Sequence, residues 1–231
     1  MKNEKKIQIA LRNISKKYGN HSILDNINID IYQGDFVCIF GKSGGGKTTL
    51  LNIIGTLEYY DSGEVLCFSK RNPVKNKKIG EILRREKIAY LFQNFALVEK
   101  MTVKENMLLA VKYNKEINKS DIINESLKKM GIADKLKAKV YELSGGEQQR
   151  VALARNMVKP FEIMLADEPT GSLDSENKNI VIDTLVKLNN EGKTIVVVSH
   201  DKDFERVAHK SYIIENSKIR EVVRWKRKSV V

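Results

Sequence analysis

"FGKSGGGKTTL", residues 40–50, sets four glycines around a lysine and follows that lysine with two threonines. Glycine at this density belongs where backbone must come close to something. Residues 41–48 match G-x-x-x-x-G-K-[ST] at every fixed position, after the apolar "FVCIF" and before "TTLLNIIGTL", which reads as an amphipathic helix. In a strand, glycine loop and helix in that order, successive N–H groups curl into an anion nest. The helix N-terminus adds its positive end, and the missing Cβ atoms leave room for phosphate. The motif sets Gly41, Lys42, Ser43, Gly44, Gly45, Gly46, Lys47, Thr48 and Thr49 around the phosphates of a nucleotide. Lys47 reaches the β- and γ-phosphates and the Thr48 hydroxyl ligates Mg²⁺.

Outward from this stretch the chain falls into three sections. Up to about residue 70 the signals are mostly strands: "IQIALRNI", then "ILDNINIDI" with strict alternation of Ile27, Ile29 and Ile31. Residues 87–160 carry helix signals. Thr102 and Glu105 have capping-box spacing, and "SDIINESLKKMG" opens on Ser120 and closes on Gly131. Then "FEIMLADEP" and "KTIVVVSH" read as buried strands on either side of the helix "SENKNIVIDTLVKLNNEG". The expectation is one α/β unit over 1–231, with its core in 1–86 and 161–231 and a helical insertion in 87–160.

Composition sets the bounds: with 231 residues, 42% hydrophobic and 30% charged, the chain can bury one substantial core. Forty-one Lys+Arg against 29 Asp+Glu give +12, which suits nucleic acid, an anionic membrane surface or a phosphorylated ligand, but the lysines are scattered, as on a solvated surface. No apolar run is long enough to span a bilayer, and "MKNEKKIQIALRN" lacks the apolar core of a signal peptide. A cytoplasmic protein, at most peripheral to the membrane, is expected. Cys38 and Cys67 sit in strand-like runs and read as small buried side chains.

A phosphate cradle needs a metal anchor and a carboxylate. "IMLADEP" offers both: Asp167, at the end of a buried strand, holds Mg²⁺, and Glu168 polarises the water that attacks the γ-phosphate.

With "LSGGEQQR", residues 143–150, the chain resembles the nucleotide-binding subunits of ABC transporters over nearly its whole length. The resemblance implies a P-loop NTPase core with an N-terminal antiparallel β subdomain and an inserted α-helical subdomain, hydrolysing ATP with Mg²⁺. Tyr18 in "KKYGN" matches the aromatic residue that stacks on adenine. Gln93 in "YLFQN" matches the glutamine that senses Mg²⁺ and the attacking water, and His200 the histidine on the γ-phosphate. Ser144, Gly145 and Gly146 match the signature motif, and "GSLD", ending at Asp174, matches the loop that crosses to a partner subunit. The signature opens a helix in the helical lobe and must serve another subunit's nucleotide. The resemblance therefore implies a head-to-tail dimer with ATP as adhesive. One copy per chain favours a homodimer, although a different chain with the same motifs would look identical from the sequence.

The same resemblance implies a transmembrane permease on a separate chain, received in part by residues 94–105. The wording of 91–106 and 143–156 looks most like the lipoprotein-release, macrolide and peptide, and bacteriocin exporter branch. A permease that transmits force or senses antibiotic without net transport fits the sequence equally. Chromosome-handling and translation ATPases of the same head type lose on architecture, so no nucleic-acid partner is expected. Departures from the pattern are Lys42, Gly45, Thr48 and Asn156, the last replacing the usual alanine and reading as a packing change. His21 and His209 carry no motif, and the basic tail with its tryptophan reads as a solvated terminus.

Overall fold

A computed structural model describes residues 6–112, 118–171 and 173–222. The chain opens with two twelve-residue strands, β1 (Ile7–Tyr18) and β2 (His21–Tyr32), and then β3 (Phe36–Gly41) runs into the glycine loop and α1 (Lys47–Ile54). β4 (Ser62–Cys67), β5 (Lys70–Arg71), α2 (Lys77–Glu86) and β6 (Ile88–Leu91) follow. The helical stretch holds α3 (Val103–Ala110), α4 (Lys119–Lys129) and α5 (Gly145–Met157). β7 (Ile163–Asp167), α6 (Ser175–Asn190), β8 (Thr194–Val198), α7 (Asp203–Val207), β9 (Lys210–Glu215) and β10 (Lys218–Val222) complete the described chain.

Two sheets result. An antiparallel sheet has the order β2-β1-β4-β5, and a six-stranded sheet the order β10-β9-β3-β8-β7-β6, parallel except for the β9–β10 hairpin. The central strands are apolar on both faces because helices and the second sheet cover them. All five residues of β7 and of β8 are buried. The alternation in β2 is the opposite case: Ile27, Ile29 and Ile31 are buried and the residues between them face outward. Cys38 and Cys67 are free and fully buried, and burial pushes the Cys67 thiol up to about 12.

Two boundaries and the role of one residue differ from the sequence expectation. Residues 88–91 fall in the stretch read as helical, yet they pair with 163–166 as the edge strand of the core sheet. Four residues, "IAYL", are too few for periodicity to distinguish strand from helix. The helix α4 is capped by Asn118, whose side chain accepts from the Ser120 backbone N–H, so Ser120 lies inside the helix. At α3 the expected capping box is present, with Thr102 and Glu105 exchanging hydrogen bonds. The third difference is Asn156, which is buried and hydrogen-bonded, more than a packing change: its amide accepts from Tyr90 N–H at 3.2 Å and donates to Tyr90 C=O at 3.2 Å.

Candidate nucleotide site

The glycine loop is pressed between its neighbours. A Cβ on Gly41 would lie 2.9 Å from the Ile214 carbonyl oxygen of β9, and one on Gly46 2.9 Å from that of Ile23 on β2. Gly46 also has φ +92°, a left-handed conformation open to glycine at little cost. A concavity opens at the head of α1, where the unpaired N–H groups of a helix start favour an anion. Tyr18, half exposed at the end of β1, lines this cavity of about 220 Å³ with Ile23, Gly44, Gly46, Lys47, Thr48 and Thr49.

At the floor, four residues from two distant segments meet. Lys47 Nζ donates to the carbonyl oxygens of Gly41 and Lys42, at 2.9 and 3.1 Å, and lies 3.3 Å from Glu168 Oε1. Thr48 Oγ1 donates to Asp167 Oδ1 at 3.1 Å. Burial holds the Asp167 carboxyl above the ordinary aspartate range, the Thr48 hydroxyl opposing and the Glu168 charge adding to the rise. Asp167 ends β7 because Glu168 turns away at φ +43°, a conformation that costs energy for a residue with a Cβ. The turn aims the Glu168 carboxylate at the end of β8. There Oε2 accepts from Ser199 Oγ and from the His200 backbone N–H, both at 3.2 Å, and sits 2.8 Å from His200 Nδ1.

These contacts test whether the residues fit Mg²⁺ and a triphosphate, and they do. A hydroxyl and a buried carboxylate converge at one point, a lysine ammonium lies beside them, and the cavity lined by Gly44, Gly46 and Thr49 opens next to them.

Other sequence-derived residues lie apart from this cluster. Gln93 is exposed in the turn after β6, and no hydrogen bond among the described residues joins it to Thr48, Asp167 or Glu168. Ser144 caps α5: its hydroxyl accepts from Glu147 N–H at 3.3 Å and Glu147 returns the bond at 2.8 Å. Gly145 and Gly146 form the first turn of that helix. Gly146 abuts Asn177, so close that a Cβ would lie 2.5 Å from its amide carbon. Asp174 caps α6, with one carboxylate oxygen accepting from Asn177 N–H and the other from its side-chain amide, both at 2.8 Å. Arg150 donates to the Asn177 amide oxygen. Ser172 lies outside the described residues, as does the tail from 223 onward. His209, given no role, accepts the Phe36 N–H at 3.1 Å and trims the start of β3.

Asn177, the link between Gly146 and Asp174, was not singled out from the sequence, although its place three residues after a capping aspartate is a usable signal. The junction around Asp201 was also unread. There Thr170 Oγ1 donates at 3.0 Å and Lys178 Nζ bridges Asp201 and Asp203, at 2.8 and 2.5 Å. That network ties the turn after Glu168, α6 and the segment after His200 together, and only folding brings its members into reach.

Comparison with known proteins agrees with this geometry. The family model described as ABC transporter matches residues 24–171. The macrolide export ATP-binding/permease protein MacB of Campylobacter jejuni is 42% identical over 213 residues, covering 91% of this chain but 33% of MacB. The chain thus spans about a third of that relative's length. The lipoprotein-releasing system ATP-binding protein LolD of Aquifex aeolicus is 38% identical over 213 residues, 91% of this chain and 95% of LolD. Among solved structures, the dimeric bacterial ABC transporter cassette MJ0796 superposes with a TM-score of 0.86 at 37% identity, covering 93% of this chain and 97% of that one. The same cassette in a post-hydrolysis state bound to ADP and Pi superposes equally well, at 36% identity. The chain belongs to the ABC transporter family, as one of its ATP-binding ATPase cassettes.

Proposed function

We propose that this cassette works in the cytoplasm, peripheral to the membrane, as the ATP-hydrolysing subunit of a transporter whose permease is a separate chain, and that it powers export of a peptide, antibiotic or other amphiphile. The observation that supports the catalytic half is the meeting of Lys47, Thr48, Asp167 and Glu168 at one point. The transporter half is supported by likeness to LolD, named as the ATP-binding protein of a lipoprotein-releasing system, and to MacB, named as a macrolide export ATP-binding/permease protein. Among the described residues no helix is long and apolar enough to cross a membrane.

In this mechanism Lys47 exchanges the Gly41 and Lys42 carbonyls for phosphate oxygens, and Tyr18 stacks on adenine. The Thr48 hydroxyl, Asp167 and Gln93 would hold Mg²⁺, which would supply charge neutralisation at the phosphates. Glu168 takes a proton from the water attacking the γ-phosphorus while the bond from phosphorus to the β–γ bridging oxygen breaks, and His200 holds the γ-phosphate. Ser144, Gly145 and Gly146 serve the nucleotide of a second copy in a head-to-tail homodimer, and Asp174 lies on the loop that crosses between copies. A groove of about 320 Å³ beside the loop at residues 94–105, lined by Leu57, Phe92 and Leu109 with Arg84, Arg155 and Lys159, suits a helical segment of the permease. No nucleic acid enters this scheme.

The test is a pull-down of tagged Glu168→Gln protein with ATP from detergent-solubilised native membranes. A stoichiometric multi-span protein is the expected companion, and a large extracellular region on it would favour force transmission over export. Recovery of nucleic acid or ribosomes alone would overturn the transporter assignment.

A further inference from the structure

The ring of Tyr18 is held from behind. Lys16 Nζ lies 4.9 Å from the ring centroid and 2.9 Å from Glu58 Oε1. Lys16 is 8% exposed and Tyr18 is 50% exposed. The tyrosine lines the nucleotide cavity, and the lysine, seated over its ring, does not.

The partner of that lysine comes from a telling place. Glu58 lies just past α1, the helix that begins at Lys47. Three residues on, Asp61 accepts the Lys17 backbone N–H at 2.7 Å and donates its own N–H to Ser15 C=O at 2.9 Å. The end of β1, which carries Tyr18, is therefore fastened on both backbone and side chain to the segment leaving the phosphate-loop helix. The distance between the phosphate cradle and the ring is fixed before any nucleotide arrives.

A cation over one face of an aromatic ring is attracted to its π density and draws on it. The opposite face is left poorer in electrons and stacks more favourably on an electron-rich purine. We propose that Lys16, anchored by Glu58, is a positioning residue for the base of the nucleotide, fixing the orientation of Tyr18 and tuning its free face for stacking. The inference rests on Tyr18 being the base platform.

Calorimetric titration of the full chain with Mg²⁺ and ATP, and in parallel with Mg²⁺ and inorganic tripolyphosphate, separates the base from the phosphates. Lys16→Met is expected to weaken ATP binding about three- to tenfold, the size of a change in one aromatic stacking contact, and to leave tripolyphosphate binding unchanged. In a Tyr18→Ala background the same substitution should add nothing, because the lysine acts through the ring. Lys16→Arg should restore ATP affinity, and Glu58→Gln, which keeps the shape of the side chain, should reproduce a smaller part of the loss. Equal weakening of ATP and tripolyphosphate by Lys16→Met would show a general charge effect and overturn the proposal. A loss with Tyr18→Ala but none with Lys16→Met would overturn it and leave Tyr18 as the platform. No loss with Tyr18→Ala would overturn both.

Discussion

Asn156 on α5 completes the edge of the core sheet by pairing its side-chain amide with both backbone groups of Tyr90 on β6. It does for the outermost strand what a further strand would do, and a third bond to Ala152 C=O at 3.0 Å fixes the amide in place. Replacement by alanine leaves two buried backbone groups of Tyr90 without partners, each such group costing about 1–3 kcal/mol. We expect Asn156→Ala to fold and to lose about 2–6 kcal/mol in urea denaturation. A denaturation midpoint unchanged from the parent would show that the amide merely fills space.

Glu168 holds Lys47 with one oxygen and the 199–200 segment with the other. Glu168→Gln keeps the hydrogen-bonding shape and removes the base. Its expected phenotype is a fall in ATPase rate of about 10²–10⁴-fold with ATP binding retained, since the Lys47 ammonium is freed from a competing carboxylate. Steady-state turnover by the purified variant at the parent's rate would remove Glu168 from the catalytic assignment.

Asp167 trades stability for a binding position. Its carboxyl is held above the ordinary value, so between that value and the raised one the native state binds more protons than the unfolded state. Stability therefore falls as pH rises through that window, and the cost is fully present at neutral pH. Asp167→Asn keeps an acceptor for Thr48 and removes the charge. Scanning calorimetry of nucleotide-free protein at pH 7 should show Tm higher by about 2–4 °C, the equivalent of about 1 kcal/mol at this size, with ATP hydrolysis lost. A lower Tm would mean that the ionised carboxylate stabilises the empty site.

Gly146 has a reason to be glycine within its own chain, because Asn177 occupies the space a methyl group would take. Gly146→Ala should cost about 1–3 kcal/mol through overcrowding, and the penalty should vanish in an Asn177→Ala background. ATPase activity should stay low in both, since a methyl group at the helix N-terminus also blocks an incoming phosphate. Recovery of activity in the double variant would assign Gly146 to packing alone.

Much of this was legible because local chemistry forced it. The loop at 41–48, the acidic pair at 167–168 and the capping box at Thr102 each need only a few adjacent residues. What was not legible depends on neighbours distant in sequence. The strand at 88–91 is identified by pairing with 163–166, and the choice between Asn118 and Ser120 as cap turns on a backbone angle that both residue types allow. The contacts of Asn156, Lys16 and Asn177 join segments whose proximity exists only in the fold.

The order of strands in the core sheet has a consequence for the newborn chain. β3, which carries the glycine loop, lies between β8 and β9, both made from the final stretch of the described sequence. The antiparallel sheet can close on itself early, since β1, β2 and β4 leave the ribosome together. β3 must wait, apolar on both faces, until β8 and β9 have been synthesised. Pairing at such separation is slow and leaves sticky surface uncovered meanwhile. A ribosome stalled before β8 would therefore display a phosphate loop whose strand has neither parallel neighbour, and binding of nucleotide should begin only as β8 and β9 emerge.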